Sequence, residues 1–550
     1  MKYRAIANLI KTNQDTNMHN YSDYFPVRSP RDNLDVVPLL HDGLMREGPR
    51  TLLDFNGARA SFDDMAKRVG AMQAWLDAKG ICRGDRVALM LENGLDHIAL
   101  IYALMLSGVV WVPVNTRLKG PGIDYLLGHC KPTLFIAQHE FAEVLSEPGL
   151  QSRLVWLEEV QLTVQQMPAE GRLLQAAPVK ADDTLCLIYT SGTTGAPKGV
   201  VFTHRMMRIA SEATLIVSGA GAGDRMFVWE PLCHIGGAQM MLVPFLQQVE
   251  LHIVERFSAS RFWQQIETSQ ATHLHYLGGI LDILMQLPQQ PASHTLRVAW
   301  GAGVSVKAWD AVIARLQLDL RECYGMTEGS SFTTVNASGK PGSIGRALPW
   351  LKVELLDDHD QPVATGDIGH IVVSSAIDGT FLPQYLDNPE ASAAAVRNGK
   401  LYTGDSARMD QDGDLFFVGR RTDSMRVRGE NVSAWEIERV FVTHPAVAAA
   451  AAIGIDSAIG EQEIMLHVQF KPGFDVLFSD LAQWAESRLA SYQMPRYFLE
   501  TAAFELTLSE RIKKHLLPRG VELAWDRRAQ SPSAVFDKQR RDIPDSAKNQ

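Results

Sequence analysis

Residues 84–114 constrain the fold more than any other part of the chain. The segment GDRVALMLENG, residues 84–94, reads as a buried strand that ends in a turn, and residues 97–114 contain no Asp, Glu, Lys or Arg. The uncharged segment is long enough to span a membrane, but Ser107, Gly108 and Pro113 interrupt it. A buried helix followed by a buried strand explains it better, because parallel sheets produce such apolar runs. We therefore predict a parallel α/β sheet and no stable membrane insertion.

A change of pattern divides the chain into a large front part and a small rear part. Strand-like runs at residues 184–189 and 297–300, with helical periodicity between them, continue the α/β pattern. After Asp405 come an Asp-Gly turn, a charge-dense stretch and a new helix. We predict an N-terminal α/β domain at residues 1–421, a C-terminal α+β domain at residues 422–525 and a disordered tail at residues 526–550.

Charge and cysteine content restrict the partners of the chain. With 53 Lys and Arg against 63 Asp and Glu, the net charge is -10, which disfavours nonspecific binding to nucleic acid or anionic lipid. The five cysteines are scattered and form no CxxC pair, so a reducing compartment fits better than a zinc site. We expect a cytoplasmic protein that binds small molecules and no nucleic acid, and the oligomeric state stays open.

The segment YTSGTTGAPKGVVFTH, residues 189–204, is the clearest functional signal. A buried strand enters a loop rich in hydroxyls and glycines, and a helix that Thr203 can cap follows. Glycines let backbone N–H groups approach oxyanions, hydroxyls donate further hydrogen bonds, and Lys198 adds a positive charge. The spacing differs from the GxxxxGK[ST] of P-loop ATPases, so we predict a different phosphate-binding loop. Its candidate residues are Thr190, Ser191, Gly192, Thr193, Thr194, Gly195 and Lys198.

Five more motifs follow this loop in order. They are PLCHIGG at residues 231–237, WGAGV at 300–304, YGMTE at 324–328, YTGD at 402–405 and GRRTDSMRVRGENVSAWEIE at 419–438. Together the six motifs resemble those of the adenylate-forming enzymes, which comprise acyl-CoA and aryl-CoA synthetases, peptide-synthetase adenylation domains and beetle luciferases. The resemblance covers residues 33–519. Within the family, the last motif looks most similar to the bacterial crotonobetaine/carnitine-CoA ligase type.

The resemblance implies both a fold and a reaction. The fold is a large N-terminal α/β domain of layered sheets and helices with a distorted β-barrel part, followed by a smaller mobile C-terminal α+β domain. The reaction is that of an AMP-forming acid:CoA ligase, with ATP, Mg²⁺ and coenzyme A as cofactors and a small-molecule carboxylic acid as substrate. A carboxylic acid is already ionised at neutral pH, so its attack on the α-phosphorus needs orientation and charge neutralisation, and no general base.

By resemblance, the motifs also assign the nucleotide and metal contacts. Glu328 offers the hard oxygen that Mg²⁺ prefers. Stacking on adenine is assigned to Tyr324, and binding of the ribose hydroxyls to Asp405, assisted by Arg420. The remaining nucleotide contacts come from small or hydroxyl residues, namely Gly301, Ala302, Gly303, Gly325 and Thr327. The predicted catalytic residues are Lys198, Thr327, Glu328 and Arg511.

The resemblance further implies that the C-terminal domain rotates between two half-reactions. The hinge falls at Thr422, where the family carries Asp or Lys, and a hinge requires only backbone freedom. The passage for the pantetheine arm is lined by Gly429, Glu430 and Asn431. Arg426 and Arg428 offer cations for the phosphates of coenzyme A. A solvated basic strand is the alternative interpretation of this charged run.

The sequence departs from the family near its end. Where the family has a Gly-Lys pair whose Lys bridges the substrate carboxylate and the ribose-phosphate oxygens, this chain has Glu510 and Arg511. Arginine keeps the charge but presents a planar fork, so the exchange is not conservative. Three outcomes are open. Arg511 takes over the role of the lysine, Lys513 or Lys514 reaches the site after a loop shift, or adenylation is weakened. We favour Arg511.

By resemblance, the acyl pocket is lined by aromatic and medium-sized apolar side chains, namely Trp229, His234, Tyr276, Leu277, Ile280, Trp300 and Met326. Small-molecule sites have this composition, although core packing looks the same in a sequence. The aromatic content favours a small, medium-chain or ring-containing acid over a long fatty acid.

Two other functions stay open. The acyl group could pass to the pantetheine of a carrier protein, or the chain could be a catalytically weakened nucleotide-binding protein, given Arg511. Two apparent metal motifs are set aside. We interpret the spacing of Asp410, Asp412 and Asp414 as a hairpin turn, and His273 and His275 lack a third ligand nearby.

Overall fold

Two large sheets, a third antiparallel sheet and a smaller C-terminal unit make up the described part of the chain. This computed structural model describes residues 34–118, 121–145, 153–166, 174–190, 197–287, 291, 293–304, 306–420, 424–427, 430–456, 462–489, 493–506 and 512–529. A large N-terminal α/β unit and a smaller C-terminal unit of mixed helices and strands confirm the predicted fold class. The predicted boundary at residues 421–423 lies outside the described residues.

The six-stranded sheet contains the strand, helix and strand that the sequence predicts. Strands β3 (Arg86–Met90) and β4 (Val110–Pro113) pair in parallel, and the helix Leu95–Ser107 joins them with every residue from 97 to 106 buried. The helix ends at Gly108 with a φ of 65°, a conformation that glycine adopts without strain. In spatial order the strands are β6 (Leu154–Trp156), β5 (Leu134–Ala137), β3 (Arg86–Met90), β4 (Val110–Pro113), β7 (Thr184–Thr190) and β8 (Lys198–Thr203).

The nine-stranded sheet is parallel at its centre and antiparallel at both edges. Four central strands are parallel, so their carboxyl ends lie at the same edge of the sheet; they are β9 (Arg225–Val228), β11 (His273–Leu277), β12 (Val298–Ala302) and β13 (Asp319–Met326). In spatial order the strands are β15 (Arg346–Ala347), β14 (Ser331–Val335), β13 (Asp319–Met326), β12 (Val298–Ala302), β11 (His273–Leu277), β9 (Arg225–Val228), β10 (Glu250–Ile253), β1 (Thr51–Phe55) and β2 (Ala58–Ser61).

One helix lies between the two large sheets. The helix α6 (His204–Ser218) contacts strands of both sheets and is buried along nearly its whole length. The Thr203 hydroxyl accepts the Met206 N–H at 3.1 Å, which confirms the predicted cap, and Gly219 ends the helix with a φ of 68°. The other helices are α1 (Val36–Arg46), α2 (Phe62–Ala78), α3 (Leu95–Ser107), α4 (Pro121–Cys130), α5 (Leu157–Gln166), α7 (Ile235–Ala238), α8 (Val243–Leu246), α9 (Phe262–Ser269), α10 (Gly278–Gln286), α11 (Val306–Leu316), α12 (Pro389–Ala395), α13 (Ala434–Phe441) and α14 (Phe478–Glu486).

The antiparallel sheet follows the nine-stranded sheet in the chain and belongs to the part for which the resemblance implies a distorted barrel. Its strands are β16 (Leu351–Leu356), β17 (Ile368–Ser375), β18 (Val396–Arg397), β19 (Lys400–Met409) and β20 (Leu415–Arg420). The turn between β19 and β20 contains Asp412 and Gly413, the latter with a φ of 84°, as the predicted hairpin requires.

The C-terminal unit combines a hairpin with a four-stranded sheet. Its strands are β21 (Ser424–Val427), β22 (Glu430–Ser433), β23 (Val447–Asp456), β24 (Gln462–Phe470), β25 (Tyr497–Glu500) and β26 (Trp525–Asp526). Asp526, the first residue of the predicted tail, pairs with Tyr497, and Arg528 forms an ion pair with Glu463 at 2.6 Å. Residues 530–550 of that tail lie outside the described residues. Among the helices of the described ranges, none has both the length and the apolar content to cross a membrane.

Candidate active site

The predicted nucleotide motifs meet at one edge of the nine-stranded sheet. Ala302 ends β12, Met326 ends β13, and Trp229 directly follows β9. Because these strands are parallel, the motifs that follow them lie side by side. In open α/β sheets, ligands bind outside the carboxyl ends of the strands. The topology therefore brings together segments that lie about a hundred residues apart in the sequence.

The six-stranded sheet anchors both ends of the predicted phosphate loop. Thr190 ends β7, Lys198 begins β8, and the two residues are partners across the strand pair. The Thr190 hydroxyl donates a hydrogen bond of 3.4 Å to Oε1 of Glu328. The predicted phosphate contacts between these anchors lie outside the described residues, namely Ser191, Gly192, Thr193, Thr194 and Gly195.

A tyrosine that the sequence did not reveal joins Glu328 to Lys198. Glu328 is 6% exposed, and the Tyr385 hydroxyl donates a hydrogen bond of 2.8 Å to its Oε1. The Tyr385 ring centre lies 5.1 Å from Nζ of Lys198, within the range of a cation–π contact. The Leu386 N–H donates to the Gly199 carbonyl at 2.7 Å, which ties this segment to β8. No local pattern marks Tyr385, because these contacts join segments far apart in the chain.

The residues assigned to adenine and ribose are in direct contact. The Tyr324 hydroxyl donates a hydrogen bond of 2.7 Å to Oδ2 of Asp405, and both side chains are buried. The ring centres of Tyr324 and Phe417 are 6.0 Å apart. Asp405 and Arg420 are register partners on β19 and β20, so the two residues predicted to bind the ribose lie opposite each other in the antiparallel sheet.

Backbone packing requires glycine in two of the nucleotide motifs. A Cβ on Gly301 would lie 1.8 Å from the Tyr276 carbonyl oxygen, and a Cβ on Gly325 would lie 1.9 Å from that of Ser331. Gly303 has a φ of 97°, which non-glycine residues rarely adopt. These glycines are therefore needed by the protein itself, in addition to any space that they leave for a flat base. Ala302 is exposed, and Thr327 lies half-buried in the 3-10 turn Thr327–Gly329.

Glu322 is a buried acid behind the glycine turn that sequence reasoning missed. It accepts hydrogen bonds from the Gly303 N–H at 2.5 Å, the Val304 N–H at 3.3 Å and the Tyr276 hydroxyl at 2.7 Å. Burial raises the pKa of Glu322 to about 7, although these hydrogen bonds and the charge of Arg439 oppose the rise. Arg439 belongs to α13, so the C-terminal unit contributes charge to this turn.

Because burial raises the pKa of Glu322 in the folded protein, its ionisation weakens the fold as the pH rises. Between the ordinary glutamate pKa and about 7, the folded state binds more protons than the unfolded state, so stability falls with increasing pH. Glu322→Gln removes this contribution. We expect the Tm of the variant, relative to that of the wild type, to be higher at about pH 8 than at about pH 5. Thermal melts at both pH values measure it, and an unchanged difference would contradict the assignment.

The residues assigned to the acyl pocket differ in exposure. Trp229, His234 and Met326 are half-buried, and Leu277 is 46% exposed. Ile280 is buried, and Tyr276 and Trp300 are fully buried in the cores on opposite faces of the nine-stranded sheet. Burial lowers the pKa of His234, while the charge of Glu230 opposes the shift. Glu230 itself was not predicted.

The residues assigned to the hinge and to coenzyme A lie only partly in the described part of the chain. Thr422, Arg428 and Gly429 lie outside it, whereas the backbones of Glu430 and Asn431 form β22. The Phe417 ring, which contacts Tyr324, has its centre 5.8 Å from that of Trp435 in α13. An aromatic contact thus connects the C-terminal unit to the residue assigned to adenine.

The basic residues considered for the adenylation role differ in their surroundings. Arg511 lies outside the described residues. Nζ of Lys514 lies 2.7 Å from Oε1 of Glu438, and Nζ of Lys513 lies 3.5 Å from Oε2 of Glu505. Both lysines are therefore engaged by carboxylates of the C-terminal unit.

The three aspartates of the hairpin surround a lysine. The ammonium group of Lys340 contacts Asp410, Asp412 and Asp414, and Arg346 lies 3.1 Å from Asp414. Carboxylate oxygens of the three aspartates lie within 4.8 Å of one another, but the ammonium group of Lys340 already serves as their common cationic partner. The Nδ1 of His273 lies 2.8 Å from the Thr272 hydroxyl, and His275 is hydrogen-bonded to Glu230.

Family models and curated relatives match most of this chain. Residues 43–382 match the family model described as AMP-binding enzyme, and residues 436–511 match the AMP-binding enzyme C-terminal domain. A crotonobetaine/carnitine–CoA ligase of Shigella sonnei (strain Ss046) is 31% identical over 445 residues, covering 76% of this chain and 85% of the relative.

Two solved structures share the fold. One is o-succinylbenzoate CoA synthetase of Bacillus subtilis in complex with its acyl-adenylate intermediate, with a TM-score of 0.79 and 22% identity over 88% of this chain and 99% of that one. The other is the same enzyme with ATP and magnesium ion, with a TM-score of 0.77 and 23% identity over 87% and 98%.

Proposed function

The chain belongs to the AMP-binding enzyme family of adenylate-forming enzymes and is an AMP-forming acyl-CoA synthetase, and from this premise we propose that it activates a small, medium-chain or ring-containing carboxylic acid with ATP and Mg²⁺. An acyl-CoA ligase works through an acyl-adenylate and then a thioester. Coenzyme A, predicted above as a cofactor, is therefore a substrate, because it is consumed in the second half-reaction. The comparisons support neither the carrier-protein alternative nor the weakened nucleotide-binding protein.

One observation carries the proposal. The ends of the phosphate loop, Thr190 and Lys198, converge with Glu328 around the Tyr385 side chain. A cation, hydroxyl groups and a buried carboxylate beside an oxyanion-binding loop are the groups needed to hold a triphosphate and its metal ion. We assign binding of the nucleotide base to Tyr324 and of the ribose to Asp405, and these two residues are in contact with each other.

The donor set at Glu328 fits a magnesium ion. Its carboxylate is buried and, among the residues that the structure describes, accepts hydrogen bonds from the hydroxyls of Thr190 and Tyr385, so a hard anionic oxygen is held in position. Bound there, Mg²⁺ would neutralise phosphate charge that otherwise repels the attacking carboxylate. Lys198 contributes further positive charge to the phosphates, and Thr327, in the 3-10 turn that contains Glu328, orients them.

The proposed preference for a compact acid rests on three half-buried side chains assigned to the acyl pocket, namely Trp229, His234 and Met326. The relative is named for the ligation of crotonobetaine or carnitine to coenzyme A, which supports a compact acid as the substrate of this chain. A panel of short, medium, aromatic and long-chain acids, assayed for AMP release with ATP and coenzyme A, tests this proposal. We expect the best turnover with a compact acid, and best turnover on palmitate would contradict it.

Tyr385 is expected to position Glu328 and Lys198 for the first half-reaction. Tyr385→Phe removes the hydrogen bond to Glu328 and keeps the ring beside Lys198, so adenylation should slow about tenfold. Tyr385→Leu also removes the ring and should cost about tenfold more, since a partly desolvated cation–π contact is lost as well. Acid-dependent pyrophosphate–ATP exchange measures the rate, and titration of ATP binding against Mg²⁺ shows whether the metal affinity falls.

A matched control exists for this series. Tyr102→Phe also deletes a buried hydroxyl, one that donates to the Met241 carbonyl at 2.7 Å in the core. It should lower the Tm and leave the exchange rate and the Mg²⁺ dependence unchanged. Equal losses in Tyr385→Phe and Tyr102→Phe would show that Tyr385 acts only through stability.

A further inference from the structure

A buried carboxylate lies among the residues assigned to the acyl pocket. Glu230 directly follows Trp229, is 7% exposed, and is hydrogen-bonded through Oε2 to Nδ1 of His275. The ring centre of His275 lies 5.4 Å from that of Trp300 and 5.9 Å from that of Phe332. The histidine that is hydrogen-bonded to Glu230 therefore packs against two aromatic rings of the sheet that holds the nucleotide motifs.

The turn that follows holds this carboxylate in place. Nδ2 of Asn93 donates to the Glu230 carbonyl at 2.9 Å, and Oδ1 of Asn93 accepts the Leu232 N–H at 3.2 Å. A Cβ on Gly236 would lie 2.5 Å from Oε1 of Glu230, so the carboxylate packs directly on the PLCHIGG turn. The same charge acts on His234 of this turn, whose pKa it raises against the effect of burial.

One oxygen of this carboxylate lacks a donor. Within the described ranges, Oε1 of Glu230 accepts no hydrogen bond, and neither Lys nor Arg forms an ion pair with the group. Although Glu230 is only 7% exposed, its Oε1 keeps some contact with solvent, so water can reach it in the free protein. An acyl group that displaces this water has to supply a hydrogen-bond donor, because a carboxylate oxygen that loses hydration and gains no donor is costly.

We propose that Glu230 selects carboxylic acids whose acyl group carries a hydrogen-bond donor, a hydroxyl or a protonated amino group. This inference rests on the proposed function, because it assumes that the residues around Glu230 receive the acyl group. An ionised carboxylate only accepts hydrogen bonds, so the substrate has to supply the proton. A purely hydrocarbon acid would leave Oε1 unpaired, and a quaternary ammonium group has no proton to donate.

Matched acids of one skeleton test the proposal. Butanoate, 4-hydroxybutanoate, 4-aminobutanoate and 4-(trimethylammonio)butanoate form one series, and benzoate with its hydroxy and amino derivatives forms a second. The wild type should prefer a donor-bearing member over its parent acid by about 10- to 100-fold in kcat/KM for acid-dependent pyrophosphate–ATP exchange. Equal use of the parent acid, or preference for the trimethylammonium acid, would overturn the proposal.

Variants of Glu230 separate recognition from stability. Glu230→Leu should abolish or reverse the preference, whereas Glu230→Gln keeps one accepting oxygen and should retain part of the preference for hydroxyl acids. Glu212→Gln is the matched control, since Glu212 is also a buried carboxylate, paired with Arg208 at 2.8 Å inside α6. The control should leave the ranking of acids unchanged. The same ranking in folded Glu230→Leu and wild type would refute the role of Glu230.

Failure of the proposed function can be distinguished from failure of this inference. If no acid supports exchange, the adenylation proposal fails, and Glu230 is then tested by ligand-induced thermal shift. Stabilisation of the wild type, but not of Glu230→Leu, by donor-bearing acids would still support selection by Glu230. No difference between the two proteins would overturn it.

Discussion

Arg511→Ala is expected to slow acyl-adenylate formation by about 100- to 1000-fold, because it removes the charge that we propose stabilises the reacting anions. Transfer of the acyl group from preformed acyl-adenylate to coenzyme A should change little, since pyrophosphate has already left. Pyrophosphate–ATP exchange measures the first step, and thioester formation from synthetic acyl-adenylate measures the second. Equal effects on both steps would contradict the assignment of Arg511.

Neighbouring basic residues provide the controls for Arg511. Arg511→Lys restores the residue type of the family and should retain far more exchange activity than Arg511→Ala, because the positive charge is kept. Lys514→Ala should mainly lower the Tm, since Lys514 is paired with Glu438 at 2.7 Å. A larger loss of exchange in Lys514→Ala than in Arg511→Ala would move the role to Lys514.

Gly301→Ala is expected to destabilise the N-terminal domain by about 2–4 kcal/mol and to abolish ATP binding. The added Cβ would lie 1.8 Å from the Tyr276 carbonyl oxygen, a backbone atom of the adjacent strand that no rotamer change can move aside. Strands β11 and β12 must therefore separate near the glycine turn, which also holds the hydrogen bond from Gly303 to Glu322. Thermal melts and ATP titrations measure both effects.

Ala302→Ser is the matched control for Gly301→Ala. Ala302 is the next residue in β12, and its side chain is exposed, so an added hydroxyl meets no backbone. The control should keep its Tm within the small range typical of surface substitutions. A Gly301→Ala protein as stable as Ala302→Ser, with normal ATP affinity, would show that the contact between the strands is not tight.

Short sequence patterns correctly predicted those helices, caps and turns that depend on residues close together in the chain. The apolar run at residues 97–106 forms the buried helix α3, the Thr203 hydroxyl caps α6, and the Asp-Gly turn joins β19 to β20. The ordered motifs predict site roles for Glu328, Tyr324 and Asp405, and the structure shows Glu328 bonded to Tyr385 and Tyr324 bonded to Asp405. Residue types with a strong conformational or chemical preference are therefore readable before the structure is known.

Contacts across long sequence distances could not be predicted in the same way. Tyr385 bonds Glu328 from 57 residues away, and the Tyr276 hydroxyl reaches Glu322 from 46 residues away. Glu230 and His275 are 45 residues apart, and each alone reads as an ordinary polar residue near a strand end. Such pairs arise from the order and register of the strands, which single-residue patterns do not encode.

Acid-dependent exchange of labelled pyrophosphate into ATP tests the central claim most directly, because it reports formation of an acyl-adenylate and needs neither coenzyme A nor a carrier protein. We predict exchange that requires both Mg²⁺ and a compact carboxylic acid, and that falls strongly in Glu328→Gln. Absence of exchange across a broad panel of acids, with folded protein and bound ATP, would contradict the account.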